Sequence, residues 1–181
     1  CEIKLDNIDE KGVGEILVCG PNVMLGYFED EEATKEAIVD GWFHTGDLGR
    51  FDSKGNLIIT GRCKSVIVTP NGKNIFPEEI ENEIAKFPEI KECLVFGEET
   101  KDDTVISAVV TLDEEYLKEK YGKNIPDLNK IKEIVWEKIK VLNKKMVSYK
   151  AVKNLKIRTT DFAKTTTMKI KRFLDSNKKG E

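Results

Sequence analysis

The chain of 181 residues carries 30 Lys and Arg against 33 Asp and Glu, a net charge of -3, with 39% hydrophobic and 35% charged residues. That length suits one or two domains with a sizeable core, and the slight acidity argues against a general nucleic-acid or anionic-membrane binder. No apolar run approaches the ~20 residues of a membrane span and no cationic start suggests a signal peptide, so a cytoplasmic chain is expected.

Cys1-Glu2-Ile3-Lys4-Leu5 reads as the middle of a strand rather than a native start, which points to the C-terminal part of a longer protein. Strands are predicted over 15–19, 47–51 and 57–60, with Asp52-Ser53-Lys54-Gly55-Asn56 joining the last two as a hairpin. Asp30 is a good N-cap for a helix over 31–39, whose acidic first turn suits the positive end of the helix dipole. Together these elements look like the remaining wall of a small β-barrel. From Arg62 to Lys64 the pattern changes, and a domain boundary is set there. Segments 65–69 and 73–75 read as a hairpin around Asn71-Gly72, a dipeptide suited to positive φ. Pro77 opens a helix with Ile80, Ile84 and Phe87 on one face. Strands are predicted over 93–97, 105–112 and 152–158. Between the last two, Asp127 caps a helix whose inward face is Leu128, Ile131, Ile134, Val135, Ile139 and Leu142. Residues 162–173 read as a polar loop or short helix, and the basic run from Lys164 to Lys179 as a solvated face. The fold class is therefore α+β.

Cys1, Cys19, Cys63 and Cys93 are spaced too irregularly for a zinc site or a disulfide framework, with one histidine to join them. Cys19 and Cys93 sit in apolar runs, as small buried residues would. His44 tempts a general-base reading, which is declined, and Trp42 and Phe43 are assigned to core or rim.

Three spaced features carry chemistry. Asp47, in Thr45-Gly46-Asp47, stands on a Gly-flanked turn. Its two oxygens can accept both hydroxyl protons of a ribose cis-diol, although Asp and Gly also simply make turns. Arg62, about one hairpin later, offers a permanently charged planar fork to a sugar or phosphate. Gly72 lies beyond, in Pro70-Asn71-Gly72-Lys73-Asn74-Ile75-Phe76-Pro77-Glu78-Glu79-Ile80-Glu81.

These segments, in this order, resemble those of the adenylate-forming superfamily, and within it the AMP-forming acyl-CoA synthetases. The wording of residues 67–75 looks most like the bacterial long-chain fatty acyl-CoA ligases, and the similarity runs from about Gly14 to about Arg172. The resemblance implies that residues 1–61 end a large N-terminal domain, 62–64 form a hinge, 65–175 a mobile C-terminal domain and 176–181 a tail. It implies activation of a fatty acid with ATP to acyl-AMP and transfer to coenzyme A. Mg2+ would be held by residues upstream, and this fragment alone would be inactive. Asp47 and Arg62 would hold ATP, Lys64 would be the hinge pivot, and the Gly72 loop would admit coenzyme A. Lys169, in Thr165-Thr166-Thr167-Met168-Lys169-Ile170-Lys171-Arg172, is similar to the family's catalytic lysine, with Lys171 and Arg172 near enough to be confused with it. The family usually has Gly before this lysine, where Met168 stands here. Expected partners are the small molecules fatty acid, ATP and coenzyme A, without nucleic acid. Peripheral membrane association stays open, and oligomeric state is not implied. Three alternatives stand beside this reading: loading of a carrier protein, a non-catalytic binding module, and a homologue that binds nucleotide without turnover.

Overall fold

The computed structural model describes residues 1–100 and 103–180, and the chain divides after Val66 into two units. Short apolar runs separated by Gly, Asp and Asn make the first unit a sheet. Its strands are β1 (Glu2–Asp6), β2 (Gly14–Cys19), β3 (Ile38–Val39), β4 (Trp42–Phe51) and β5 (Leu57–Arg62). All pairings are antiparallel; β2 lies along one edge of β4, β3 and β5 share the other, and β1 extends beyond β2. This is the curled half-barrel expected from the sequence. Its buried large apolar residues are Val13, Ile16 and Leu17. Helix α1 (Glu31–Ala37) is capped as predicted, the Asp30 carboxylate accepting the Ala33 N–H at 2.9 Å. It stops two residues before the predicted end. β-branched Ile38 and Val39 pair instead with Phe43 and Trp42, where such side chains suit a pleated surface.

Two connections of this unit use the same five-residue turn. In Asp52–Asn56, the Gly55 N–H donates to Asp52 O (3.0 Å), the Asp52 N–H to Asn56 O (2.9 Å) and the Asn56 N–H to Asp52 Oδ1 (2.8 Å). Asp9–Val13 repeats all three bonds. The fourth residue, Gly12 or Gly55, is left-handed at φ 77° or 79°.

The second unit contains the hairpin β6 (Ile67–Val68) and β7 (Asn74–Ile75), then α2 (Pro77–Ile84), β8 (Ile90–Glu99), β9 (Thr104–Leu112), α3 (Glu114–Tyr121), α4 (Leu128–Lys145) and β10 (Val152–Arg158). β9 is the central strand, with β8 antiparallel and β10 parallel to it. A parallel pair needs a long crossover, which α3 and α4 supply. Strand alternation gives this sheet two apolar faces. Val95, Ala108 and Val110 join Ile80 and Ile84 of α2, and Ile131, Val135 and Ile139 of α4, in the main core; Ile75 of β7 belongs to it too. Leu94 and Val109 point the other way, onto Phe162 and Ile170. Each fully buried aliphatic side chain stabilises the unit by ~1.5–3 kcal/mol. On α4 the predicted inward face is largely realised, but Ile134 is half-buried, and Trp136 packs against the core beside it.

Helix α3 was not anticipated. It buries only Leu117, so no apolar stripe announces it, yet Asp113 caps it through the Tyr116 N–H (3.0 Å), Glu114 and Glu115 fill its first turn, and Gly122 ends it. After β10 the chain covers the second sheet face without regular structure, so 162–173 is a loop. Lys164 and Ile170 bridge across it. The tail after 175 is not loose: Asn177, fully buried, accepts the Ala163 N–H (2.9 Å) and donates to Ala163 O (2.9 Å) and Lys171 O (3.0 Å).

Candidate functional site

Asp47 lies inside β4, not on the expected turn, between two irregularities of the sheet. On the β2 side Leu17 faces His44, and the next pair is Glu15 with Leu48. β2 thus advances two residues while β4 advances four, so Thr45, Gly46 and Asp47 bulge opposite Ile16. Side chains satisfy the broken ladder: Gly46 N–H donates to Glu15 Oε1 (3.0 Å), Thr45 Oγ1 to Ile16 O (2.7 Å), and Asp47 N–H to Thr45 Oγ1 (3.0 Å). Gly46 is left-handed at φ 69°, which is what the bulge asks of it. On the β5 side, Gly49 faces Ile59 while Leu48 faces Gly61, so Thr60 is an extra residue. Without it the hairpin register would set Asp47 opposite Gly61. With it, Asp47 faces Arg62, and Arg62 Nε lies 3.0 Å from Asp47 Oδ1.

An exposed pair of this kind contributes ~1 kcal/mol or less to stability. Its chemistry is of more interest. Among the described residues neither Asp47 nor Arg62 is ion-paired with any third side chain, which leaves an acceptor and a cationic fork side by side for a polyhydroxylated anion. His44 is held by Nδ1 at 3.1 Å from Glu15 Oε2. The Cys63 thiol is pushed up by burial and by the Glu15 and Asp47 carboxylates, so it stays a protonated, unreactive neighbour. Lys64 follows on the one-turn helix Cys63–Ser65 and is exposed.

Gly72 and Lys169 belong to the second unit, on loops anchored to opposite faces of its sheet. The Gly72 hairpin packs through Ile75 and Ile67 into the main core. Its turn is the five-residue pattern again, in Thr69–Lys73: Gly72 N–H donates to Thr69 O (2.8 Å), Thr69 N–H to Lys73 O (3.0 Å) and Lys73 N–H to Thr69 Oγ1 (3.0 Å). Only Gly72 (φ 70°) is left-handed; Pro70 and Asn71 form the turn's centre, and the flanking strands are two residues each rather than the longer ones expected. A Cβ on Gly72 would meet nothing within 4 Å, so this backbone is open to a ligand.

Lys169 closes a fourth copy of the turn, Thr165–Lys169, with Met168 N–H to Thr165 O (3.0 Å), Thr165 N–H to Lys169 O (2.8 Å) and Lys169 N–H to Thr165 Oγ1 (3.1 Å). Lys169 is exposed and makes no ion pair among the described residues. Its neighbour Arg172 is a structural group. Arg172 Nη1 donates to Glu81 Oε1 (2.7 Å), Nη2 bonds Glu81 Oε2 and approaches Glu78 Oε1 (3.5 Å). Glu81 Oε1 also accepts the Val95 N–H (2.7 Å) on the outer edge of β8. Burial disfavours the Arg172 charge, but the Glu81 bonds outweigh it and hold the group above its ordinary range. Lys164 is likewise paired, with Glu92 at 2.8 Å, so the basic run is partly an internal network rather than a solvated face.

Sequence reasoning missed Glu15, Thr45, Thr60 and Glu81. An acidic residue opening the apolar run Ile16-Leu17-Val18 was the available signal for Glu15. Nothing local marks Thr60. Cys19 and Cys93 are half-buried, and burial pushes the Cys93 thiol well up. Among the described residues no cluster of His, Cys, Asp or Glu is placed to hold a metal ion, and no helix is long and apolar enough to cross a membrane.

Residues 64–174 match the AMP-binding enzyme C-terminal domain family. The long-chain-fatty-acid–CoA ligase FadD15 of Mycobacterium tuberculosis is 35% identical over 180 residues, 91% of this chain and 30% of FadD15. The indoleacetate–CoA ligase of Aromatoleum aromaticum is 45% identical over 102 residues, 55% of this chain and 20% of that protein. Among solved structures, o-succinylbenzoate CoA synthetase (MenE) from Bacillus subtilis, in complex with its acyl-adenylate intermediate, superposes with a TM-score of 0.77 at 28% identity, covering 94% of this chain and 32% of that one. The chain thus spans less than a third of the length of these relatives. With its half-barrel sheet, its helix-flanked sheet and its two Gly- and Lys-bearing loops, the chain belongs to the AMP-binding enzyme C-terminal domain family of adenylate-forming enzymes.

Proposed function

We propose that the full-length polypeptide carrying this chain is an AMP-forming acyl-CoA synthetase of the long-chain fatty acid type. A fatty carboxylate oxygen attacks the α-phosphorus of ATP and pyrophosphate leaves; the thiol sulfur of coenzyme A then attacks the acyl carbon and AMP leaves. The pairing of Asp47 with Arg62 carries this reading, because the extra residue Thr60 brings a carboxylate and a guanidinium into one register at 3.0 Å. Asp47 takes the ribose hydroxyls and Arg62 the sugar or phosphate edge. Lys169 neutralises the charge that gathers when a carboxylate meets a phosphate, a contribution of ~3 kcal/mol to the barrier. The open backbone at Gly72 admits the pantetheine arm of coenzyme A, and Lys64 serves as the pivot between the domains. Magnesium, which accompanies ATP, falls outside the roles assigned to the described residues. The similarity to FadD15 supports the fatty acid class. Similarity to an indoleacetate ligase supports assigning these residues to nucleotide and coenzyme A handling, which ligases of different acids share. Four free cysteines support a cytoplasmic setting.

The test is exchange of labelled pyrophosphate into ATP by the full-length polypeptide. Exchange that requires a fatty acid, with thioester formed only when coenzyme A is added, is the expected result. Thioester formed on a carrier protein but not on free coenzyme A would replace this reading with carrier loading.

A further inference from the structure

Asp47 is aimed by a bulge, and a bulge needs a brace. Gly46, its neighbour, has the widest backbone freedom of any residue and open space where a Cβ would stand, so no side chain packs it in place. Two side chains do the holding. Thr45 Oγ1 takes the Asp47 N–H, and the Glu15 carboxylate takes the Gly46 N–H. Glu15 itself is fixed at its second oxygen by His44 Nδ1, and its side chain is only 20% exposed, where a charge-assisted bond to a backbone N–H is strong.

We propose that Glu15 is a positioning residue for nucleotide binding, a strut from β2 that locks Gly46 and thereby aims Asp47, with His44 as the strut's foot. This rests on the reading of Asp47 as the ribose ligand. Removing the strut frees Gly46 to turn over, and Asp47 then samples orientations in which it cannot accept both hydroxyls. The loss falls on nucleotide affinity rather than on the acid or on the chemical step.

The experiment uses the full-length polypeptide with Glu15→Ala and Glu15→Gln. Glu15→Ala is expected to raise the KM for ATP about tenfold while leaving the KM for the fatty acid in place. Glu15→Gln, whose amide oxygen still accepts the Gly46 N–H, is expected to raise it about threefold and serves alone if the alanine variant fails to fold. In an Asp47→Ala background the Glu15→Ala change is expected to add no more than about twofold, because it acts through Asp47. Hydrogen exchange followed on a β4 peptide is expected to speed up at Gly46 in the variants, with β8 and β9 unchanged. An unchanged KM for ATP in a folded variant, or losses that simply add to those of Asp47→Ala, would overturn the proposal. If the unaltered polypeptide fails to hold ATP, the ribose reading and the nucleotide role of Glu15 fall together, while the exchange readout still judges the strut.

Discussion

The Gly72 turn and the Lys169 turn share three closing hydrogen bonds, and of the three positions at which they differ the fourth residue is the one whose backbone matters. Both close a five-residue loop with a Thr side chain capping the last N–H, and both put the fourth residue in the left-handed region, at φ 70° for Gly72 and φ 62° for Met168. The Asp9 and Asp52 turns of the first unit repeat the pattern with Gly12 and Gly55. Glycine adopts this conformation without steric cost, whereas a residue with a Cβ gives up about 1–2 kcal/mol. Met168 is 71% exposed, so burial does not offset that cost. With methionine at the fourth position the loop keeps the hydrogen bonds of the three glycine turns and carries strain immediately before Lys169. Strain of this kind gathers at working sites.

The sharpest way to separate the two turns is by the half-reaction proposed for each. Lys169→Ala in the full-length polypeptide is expected to cut pyrophosphate exchange about 100-fold, or ~3 kcal/mol, while thioester formation from supplied acyl-AMP continues. Glu81→Ala should strip the Arg172 clamp and cost about 2 kcal/mol in urea unfolding, below the range for fully buried pairs because both groups keep some exposure. Hydrogen exchange should then rise in the Lys169 loop more than in the Gly72 hairpin. Gly72→Ala is expected to cost about 1 kcal/mol and to slow thioester formation with exchange of pyrophosphate intact. Met168→Gly should do the opposite. Relief of about 1–2 kcal/mol, less about 0.4–1 kcal/mol for a freer unfolded chain, leaves a net gain near 1 kcal/mol and a higher Tm. A fall in Tm would place the strain elsewhere.

Acidification should discriminate least, because the carboxyl it acts on, Glu89, is bonded to Lys120 of α3 and Lys138 of α4 and to neither turn. Burial raises the Glu89 carboxyl, but bonds from Lys138 and Lys120 outweigh it and hold the group below the ordinary glutamate value. Its contribution to stability is therefore complete above about pH 4.3 and is lost as pH falls through the lower folded value. Urea midpoints between pH 7 and pH 3 should drop less in Glu89→Gln than in the unaltered chain.

Elements with a strong local code were legible: the Asp30 and Asp127 caps, the Asp52–Asn56 turn, and α4 with its 3.6-residue stripe. What stayed hidden depended on pairing between strands. Asp47 and Arg62 were each identifiable by type, but their meeting depends on the extra residue Thr60, and a one-residue register shift leaves no mark in composition. Glu15 was hidden for the same reason, since its partners His44 and Gly46 are reached only through β2–β4 pairing. α3 escaped because a helix lying on the surface with one buried leucine has no stripe to read.

The clamp of Arg172 on Glu81 also has a kinematic meaning. It fastens the segment bearing Lys169 to the helix that follows the Gly72 hairpin, and the two loops rest on opposite sides of one stiff sheet. A body built in this way is like a two-headed tool: a single flat surface can meet one head only while the other faces away.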